Sequence, residues 1–178
     1  MRRLAIAQKY ALALFEEAEK LKSLDKINNS LKKISEAILG KNEQIKIFDN
    51  PIIQKADKIS LIKSNFNSYG ETIINFLLIL LEKKRLHILF EILYEYEDLI
   101  KKHNNTVDAT VNSTFPIEEN LIKKLKIQLE IFTGKNIILQ TEIDNSLIGG
   151  ITVRIKDTLI DGSIKNKLAQ LKNILLNN

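Results

Sequence analysis

Few side chains in this sequence could do chemistry. Of 178 residues two are histidine, and there is no cysteine or tryptophan. Asp161-Gly162-Ser163 sets a serine beside a carboxylate, as a nucleophile elbow would. That chemistry needs Gly-x-Ser-x-Gly and a histidine partner, and no histidine follows His103. Ser163 or Asp161 therefore reads as the N-cap of a last helix. Gly149-Gly150 lacks the spacing of a phosphate-binding loop and reads as a tight bend entering a strand, where a Cβ would not fit. Asp144, Asp157 and Asp161 match no calcium-loop pattern and read as turn and cap residues. His87 and His103 stand too far apart to share a metal on one helix. The carboxylate clusters Glu16-Glu17-x-Glu19 and Glu95-x-Glu97-Asp98 lack surroundings that would raise a carboxyl pKa, so they read as solvated helix faces. With thiols absent as well, thiolate metal sites, Cys nucleophiles and disulfides are excluded. The reading is of a protein that is not an enzyme and carries no cofactor and no metal.

Charge narrows the partners. Lys and Arg number 27 against 22 Asp and Glu, a net +5. The excess is thin and spread: residues 1–105 hold 18 basic and 14 acidic side chains, residues 106–178 hold 9 and 8. Basic clusters at Lys83-Lys84-Arg85 and around Lys123-Lys124 have no aromatic residues threaded between them for base stacking. A mixed solvated surface accounts for this pattern better than a phosphate-tracking one. A helical RNA- or DNA-binding regulator is kept as the alternative function, motivated only by the basic balance. The longest apolar run, Phe76 to Leu81, is far short of the roughly 20 residues that span a bilayer. Arg2-Arg3 is followed by no signal-peptide core, since Gln8-Lys9 and Glu16-Glu17 break it.

The elements that must position these residues follow from hydrophobic period. Leu4, Ala7, Ala11, Leu14, Ala18 and Leu21 alternate spacings of three and four, a helical stripe. Ile6, Tyr10 and Ala13 widen it to about half the circumference, more than the roughly 100° that one packed face needs. Leu24 to Ile38 repeat the pattern, with Ser23 as an N-cap and Gly40 past the C-terminus. Short helices are expected over 43–48, ending at Asp49-Asn50-Pro51, and over 55–65. From Glu71 the chain is apolar on every side, with Asn75 the one polar interruption; such a helix is central to its bundle or lacks a partner. Leu86, Leu89, Leu93, Tyr96 and Ile100 restore an amphipathic helix.

At Asn104-Asn105 the period changes to two. Val107, Ala109 and Val111 mark a half-buried strand. A helix is expected to start at Pro116, with Glu118-Glu119 in its first turn, and to end before Gly134. Strands follow over 136–143, 150–155 and 158–160, the last two joined by a Lys156-Asp157 turn, and a final helix carries Ile164, Leu168, Leu171 and Leu175. The fold class is α+β: a six-helix bundle over residues 1–105, then a small α+β domain over 106–178.

Whole stretches of the chain resemble the delta subunit of F-type ATP synthase, the oligomycin-sensitivity-conferring protein family. Ala7-Gln8-Lys9-Tyr10-Ala11-Leu12-Ala13-Leu14-Phe15 followed by Ala18 is similar to that family's opening helix, with Lys9 where Arg is more usual. Phe48 through Pro51 with Lys58 resembles its proline-bearing connector, and Asn75-Phe76-Leu77 with Leu80-Leu81 and Arg85 its fifth helix and the turn after it. The most specific likeness runs from Ile143-Asp144 through Leu147-Ile148-Gly149-Gly150-Ile151 to Val153-Arg154, continued by Asp161-Gly162-Ser163-Ile164 and Leu168. Lys156 stands where the family usually has Gly or another turn former.

The resemblance implies a non-catalytic stator subunit. The N-terminal domain would dock on the catalytic head, holding the N-terminal helix of an alpha subunit in a groove between its first and fifth helices. The C-terminal domain would hold the end of subunit b of the peripheral stalk. Carried onto this sequence, the groove contacts are Tyr10, Ala13, Leu14, Asn75, Leu78 and Ile79, and Gly149, Gly150, Asp161, Gly162 and Ser163 form the structural motif. The implied location is peripheral, on the cytoplasmic face of the bacterial plasma membrane, with no membrane span and no nucleic acid.

Overall fold

A computed structural model of the chain describes residues 2–39, 48, 50 and 52–176. The chain divides into two compact units, Met1–Ile100 and Lys101–Asn178. The architecture is α+β, a helical bundle followed by a small sheet domain.

The first unit contains α1 (Arg2–Lys20), α2 (Leu24–Leu39), α3 (Lys55–Phe66), α4 (Glu71–Glu82) and most of α5 (Leu89–His103), with 3-10 turns before α4 and α5. The helix expected over 43–48 and the Gly40 stop lie outside the described residues, apart from a buried Phe48. The α1 stripe of Ala7, Ala11, Leu14 and Ala18 meets Leu31 and Ile34 of α2, Leu77 and Leu80 of α4, and Leu89, Ile92 and Tyr96 of α5 in one core. Each such side chain contributes about 1.5–3 kcal/mol on burial.

Two of the turns depart from the usual punctuation. Lys22 and Lys84 take φ of 50° and 54°, the left-handed conformation that glycine adopts most cheaply. Past α1, the Ser23 amide donates to the Ala18 carbonyl at 2.9 Å; past α4, the Arg85 amide donates to Leu80 at 2.7 Å. Both are the six-to-one bonds of a Schellman stop. Ser23 is consequently not the expected N-cap: its hydroxyl turns back toward the Ala18 carbonyl at 3.5 Å. The connector before α3 is pinned by Lys58, whose ammonium donates to the carbonyls of Phe48 at 2.6 Å and Asn50 at 2.8 Å.

The second unit contains β1 (Thr106–Ser113), α6 (Glu119–Thr133), β2 (Asn136–Ile143), β3 (Ile151–Ile155), β4 (Thr158–Asp161) and α7 (Ile164–Leu176), with strand order β2-β1-β3-β4. Strands β1 and β2 pair in parallel, Val107 opposite Ile137, so the connection between them needs a crossover helix. That helix is α6. Its Leu129 packs with Val107, Ala109, Val111, Ile137, Val153 and Ile155 on one face of the sheet. The helix does not start at Pro116 as expected: Glu118 is still extended, with ψ of 144°, and α6 begins at Glu119. Ile117 packs on the sheet core, and that anchorage keeps the chain extended for one more turn's length. Lys156 occupies its turn with φ of 49°, the conformation for which glycine would be the easier residue.

Candidate functional site

Tyr10 lies on the flank of α1 beside the core stripe and is half-buried. Its ring meets Phe76 of α4 edge-on, centroids 6.3 Å apart, a favourable arrangement of ring quadrupoles. The Arg85 guanidinium holds it from the other side: Nη1 donates to the Tyr10 hydroxyl at 2.9 Å, and Cζ lies 5.5 Å from the ring centroid. Three elements, α1, α4 and the turn after α4, thereby fix one aromatic side chain. Neither Phe76 nor Arg85 was expected at the site, although both stand within the stretch that resembles the family's fifth helix.

The remaining candidates separate by burial. Ala13 is exposed one turn beyond Tyr10. Leu14 is 4% exposed and belongs to the bundle core. On α4, the core takes Ile73, Ile74, Phe76, Leu77, Leu80 and Leu81. That leaves Asn75 exposed, Leu78 half-buried and Ile79 47% exposed. An isoleucine on a helix whose other apolar residues are nearly all buried is uncovered surface, and it lies one turn from Asn75. Asn75, Leu78 and Ile79, with Ile59 and Lys55 of α3 and with Glu82, line an open cavity of about 370 Å³. Ile59 is a further residue the sequence did not single out. Lys55 and Glu82 pair across this cavity at 3.4 Å, both largely in solvent, a contact worth at most about 1 kcal/mol.

The glycine motif of the second unit is a packing device. Gly150, at φ of 84°, lies against the backbone of Gly162 and Ser163. The Gly162 amide donates to Ile151 at 3.0 Å and the Ile164 amide to Gly149 at 2.9 Å, which ties the start of β3 to the start of α7. Ser163 is 2% exposed, and its hydroxyl accepts from the Asn166 amide at 3.2 Å: it is the N-cap of α7. Asp161 accepts from the Ser163 amide at 2.8 Å. Hydrogen bonding by the Ser163 side chain and amide, helped by Lys165, holds the Asp161 carboxyl below its ordinary value of 3.8. A depressed folded pKa gives stability that is complete above the unfolded value and lost as pH falls through the folded one. Acid unfolding of this unit below about pH 4 is therefore expected to flatten in Asp161→Asn, measured as melting temperature against pH. An unchanged acid slope would remove Asp161 from the cap.

These glycines and caps leave no reacting group in a pocket, and among the described residues no three His, Asp or Glu side chains gather as a metal site would require. The sequence model of the ATP synthase delta (OSCP) subunit matches residues 6–175. The chain belongs to that family. The ATP synthase delta subunit of Clostridium perfringens is 37% identical over 170 residues, 95% of each chain, and that of Chlorobium limicola is 32% identical over 177 residues, 99% of this chain and 98% of its own. The fold is shared with a chain in the cryo-EM structure of the Toxoplasma gondii mitochondrial ATP synthase hexamer, at a TM-score of 0.63 and 20% identity over 96% of this chain and 97% of that one. As a delta/OSCP-family chain it is a non-catalytic stator component of F-type ATP synthase. The family gives the nucleic-acid alternative no support. Among the described residues no helix is long and apolar enough to cross a membrane.

Proposed function

We propose that this subunit clamps the catalytic head to the peripheral stalk through one surface on each unit. The N-terminal helix of an alpha subunit lies against the first unit over Tyr10 and Ala13 of α1 and Asn75, Leu78 and Ile79 of α4, with Leu14 beneath in the core. The second unit holds the end of subunit b. The complex places the chain peripherally, on the cytoplasmic face of the bacterial plasma membrane. The observation that carries this reading is the uncovered apolar surface of α4 at Ile79, next to a tyrosine fixed by Phe76 and Arg85. An amphipathic helix recognises such a surface through apolar anchors at i, i+3, i+4 and i+7. In the second unit, Ile131 and Phe132 of α6 and Ile164 and Leu168 of α7 are exposed, apolar surface of the kind a helical partner covers. Leu171 and Leu175, expected to continue the α7 stripe, lie outside the described side chains.

The role is mechanical. Rotor torque would turn an unanchored head idly, and a stator that resists it makes proton flow drive ATP formation. No side-chain chemistry is required of it.

Calorimetry with a peptide of the alpha N-terminus tests the first surface. Tyr10→Asp and Ile79→Asp are each expected to weaken binding about tenfold or more, the cost of a charge at a desolvated anchor. Unchanged affinity in both variants would move the groove elsewhere.

A further inference from the structure

A second recess flanks α1 on its other side. At 100° per residue Leu4 stands about 120° around α1 from Tyr10. Leu4, with Phe90, Glu91, Leu93, Tyr94 and Glu97 of α5, lines an open cavity of about 430 Å³. Phe90, Leu93, Tyr94 and Glu97 follow i, i+3, i+4, i+7 spacing, so they form one stripe about 10 Å long. It runs beside the stripe of Leu89, Ile92, Tyr96 and Ile100 that α5 buries in its own core. Leu4 is 48%, Phe90 47% and Tyr94 70% exposed; the bundle does not use them.

Charge identifies the occupant. No basic side chain lines the recess, and a glutamate stands at each end of the α5 stripe. Lys32 pairs with Glu97 at 2.6 Å, and Glu91 extends the acidic character of the rim in a chain whose net charge is +5. Such a rim repels phosphate and anionic headgroups, which excludes nucleic acid and an anionic membrane surface as partners. We propose that the recess docks a short amphipathic helix of a protein partner, with apolar anchors along one face and Lys or Arg beside them. It goes beyond the alpha-subunit groove, whose cavity carries one lysine and one glutamate.

The test is fluorescence anisotropy of a dye-labelled Leu/Lys peptide of about 16 residues, long enough for helix formation on binding, titrated with the full chain. Its apolar residues lie on one face; a scrambled peptide of equal composition is the control. The Phe90→Ser/Tyr94→Ser double variant and Glu91→Lys are each expected to weaken binding about tenfold, and Ile79→Asp to leave it unchanged. Circular dichroism confirms that each variant is folded, and Glu91→Lys keeps the test open if the double variant is not. Equal binding of the scrambled peptide, full binding by the Phe90/Tyr94 or Glu91 variants, or loss in Ile79→Asp would each overturn the proposal. The last outcome would place the peptide in the other groove and leave the reading of that groove standing.

Discussion

Gly150→Ala is expected to lower the melting temperature of the C-terminal unit by roughly 15 °C or more, at about 4–8 °C per kcal/mol for a unit of this size. Two costs combine. A residue other than glycine held at φ of 84° loses about 1–2 kcal/mol to the left-handed conformation. The added Cβ would stand 2.5 Å from the Gly162 carbonyl oxygen and 2.9 Å from the Ser163 Cα. Both are backbone atoms, fixed by the bonds that join β3 to α7, so relief requires moving a strand or a helix at a further cost of about 1–3 kcal/mol.

Two neighbouring substitutions separate these causes. At Gly134, φ is 65° but nothing lies within 4 Å of a Cβ, so Gly134→Ala should cost only the conformational part, about 1 kcal/mol. At Gly149 the Cβ would meet Ile164 Cδ1 at 2.7 Å. That atom ends a flexible, 45% exposed side chain, which can swing aside for less than about 1 kcal/mol. Scanning calorimetry of the three variants is expected to rank Gly150 far ahead of the other two. Comparable losses at all three would show that backbone crowding at the β3–α7 junction is not what fixes glycine there.

The second large effect falls on the bundle. Tyr96 is fully buried, stacks edge-on with Phe15 at 6.2 Å, and donates its hydroxyl to the Leu24 carbonyl at 3.3 Å. Burial, with a smaller push from the Asp25 carboxylate, raises its phenol well above the ordinary tyrosine range, so the hydroxyl remains a donor in mildly alkaline solution. Tyr96→Ala removes a ring from the meeting point of α1, α2 and α5 and is expected to cost about 3–5 kcal/mol in urea unfolding followed by circular dichroism. Tyr96→Phe keeps the ring and should cost about 1 kcal/mol for the hydrogen bond. Equal losses in the two variants would put the energy in the hydroxyl instead of the packing. A loss below about 1 kcal/mol in alanine would remove Tyr96 from the core.

Side-chain period made most of the elements legible. The spacing of Ala7, Ala11, Leu14 and Ala18 marked the buried stripe of α1 because a helix repeats burial every three to four residues, and Val107, Ala109 and Val111 marked β1 because a strand alternates. Ser163 was readable as a cap because a small hydroxyl before an apolar stripe has few other uses. Turns closed by lysine were not legible. Lys22, Lys84 and Lys156 all sit at positive φ, where glycine is the residue one looks for, and only the tertiary bonds around them impose that conformation. The start of α6 was misplaced for a related reason: local preference favours a helix from proline, while Ile117 is held by a sheet assembled from distant segments.

At the candidate site, the excess apolar surface of α1 and α4 was visible as a helix face too wide for one neighbour. Which residues the bundle would claim was not visible. Leu14 and Ile79 have the same helical character in sequence, yet one is 4% and the other 47% exposed. The difference lies in how neighbouring helices cross them. The Arg85–Tyr10 bond joins residues 75 positions apart, and no local pattern encodes a pairing across that distance.

The central claim is that the subunit acts by holding, through the surface around Tyr10 and Ile79. It is tested most directly by ATP synthesis under an imposed proton gradient, in vesicles carrying the synthase stripped of this subunit. Adding back the unmodified chain should restore synthesis. The Tyr10→Asp/Ile79→Asp double variant, shown by circular dichroism to be folded, should leave synthesis near the level of the stripped enzyme while ATP hydrolysis by the head continues. Restoration of synthesis by the double variant to the level of the unmodified chain would contradict the account.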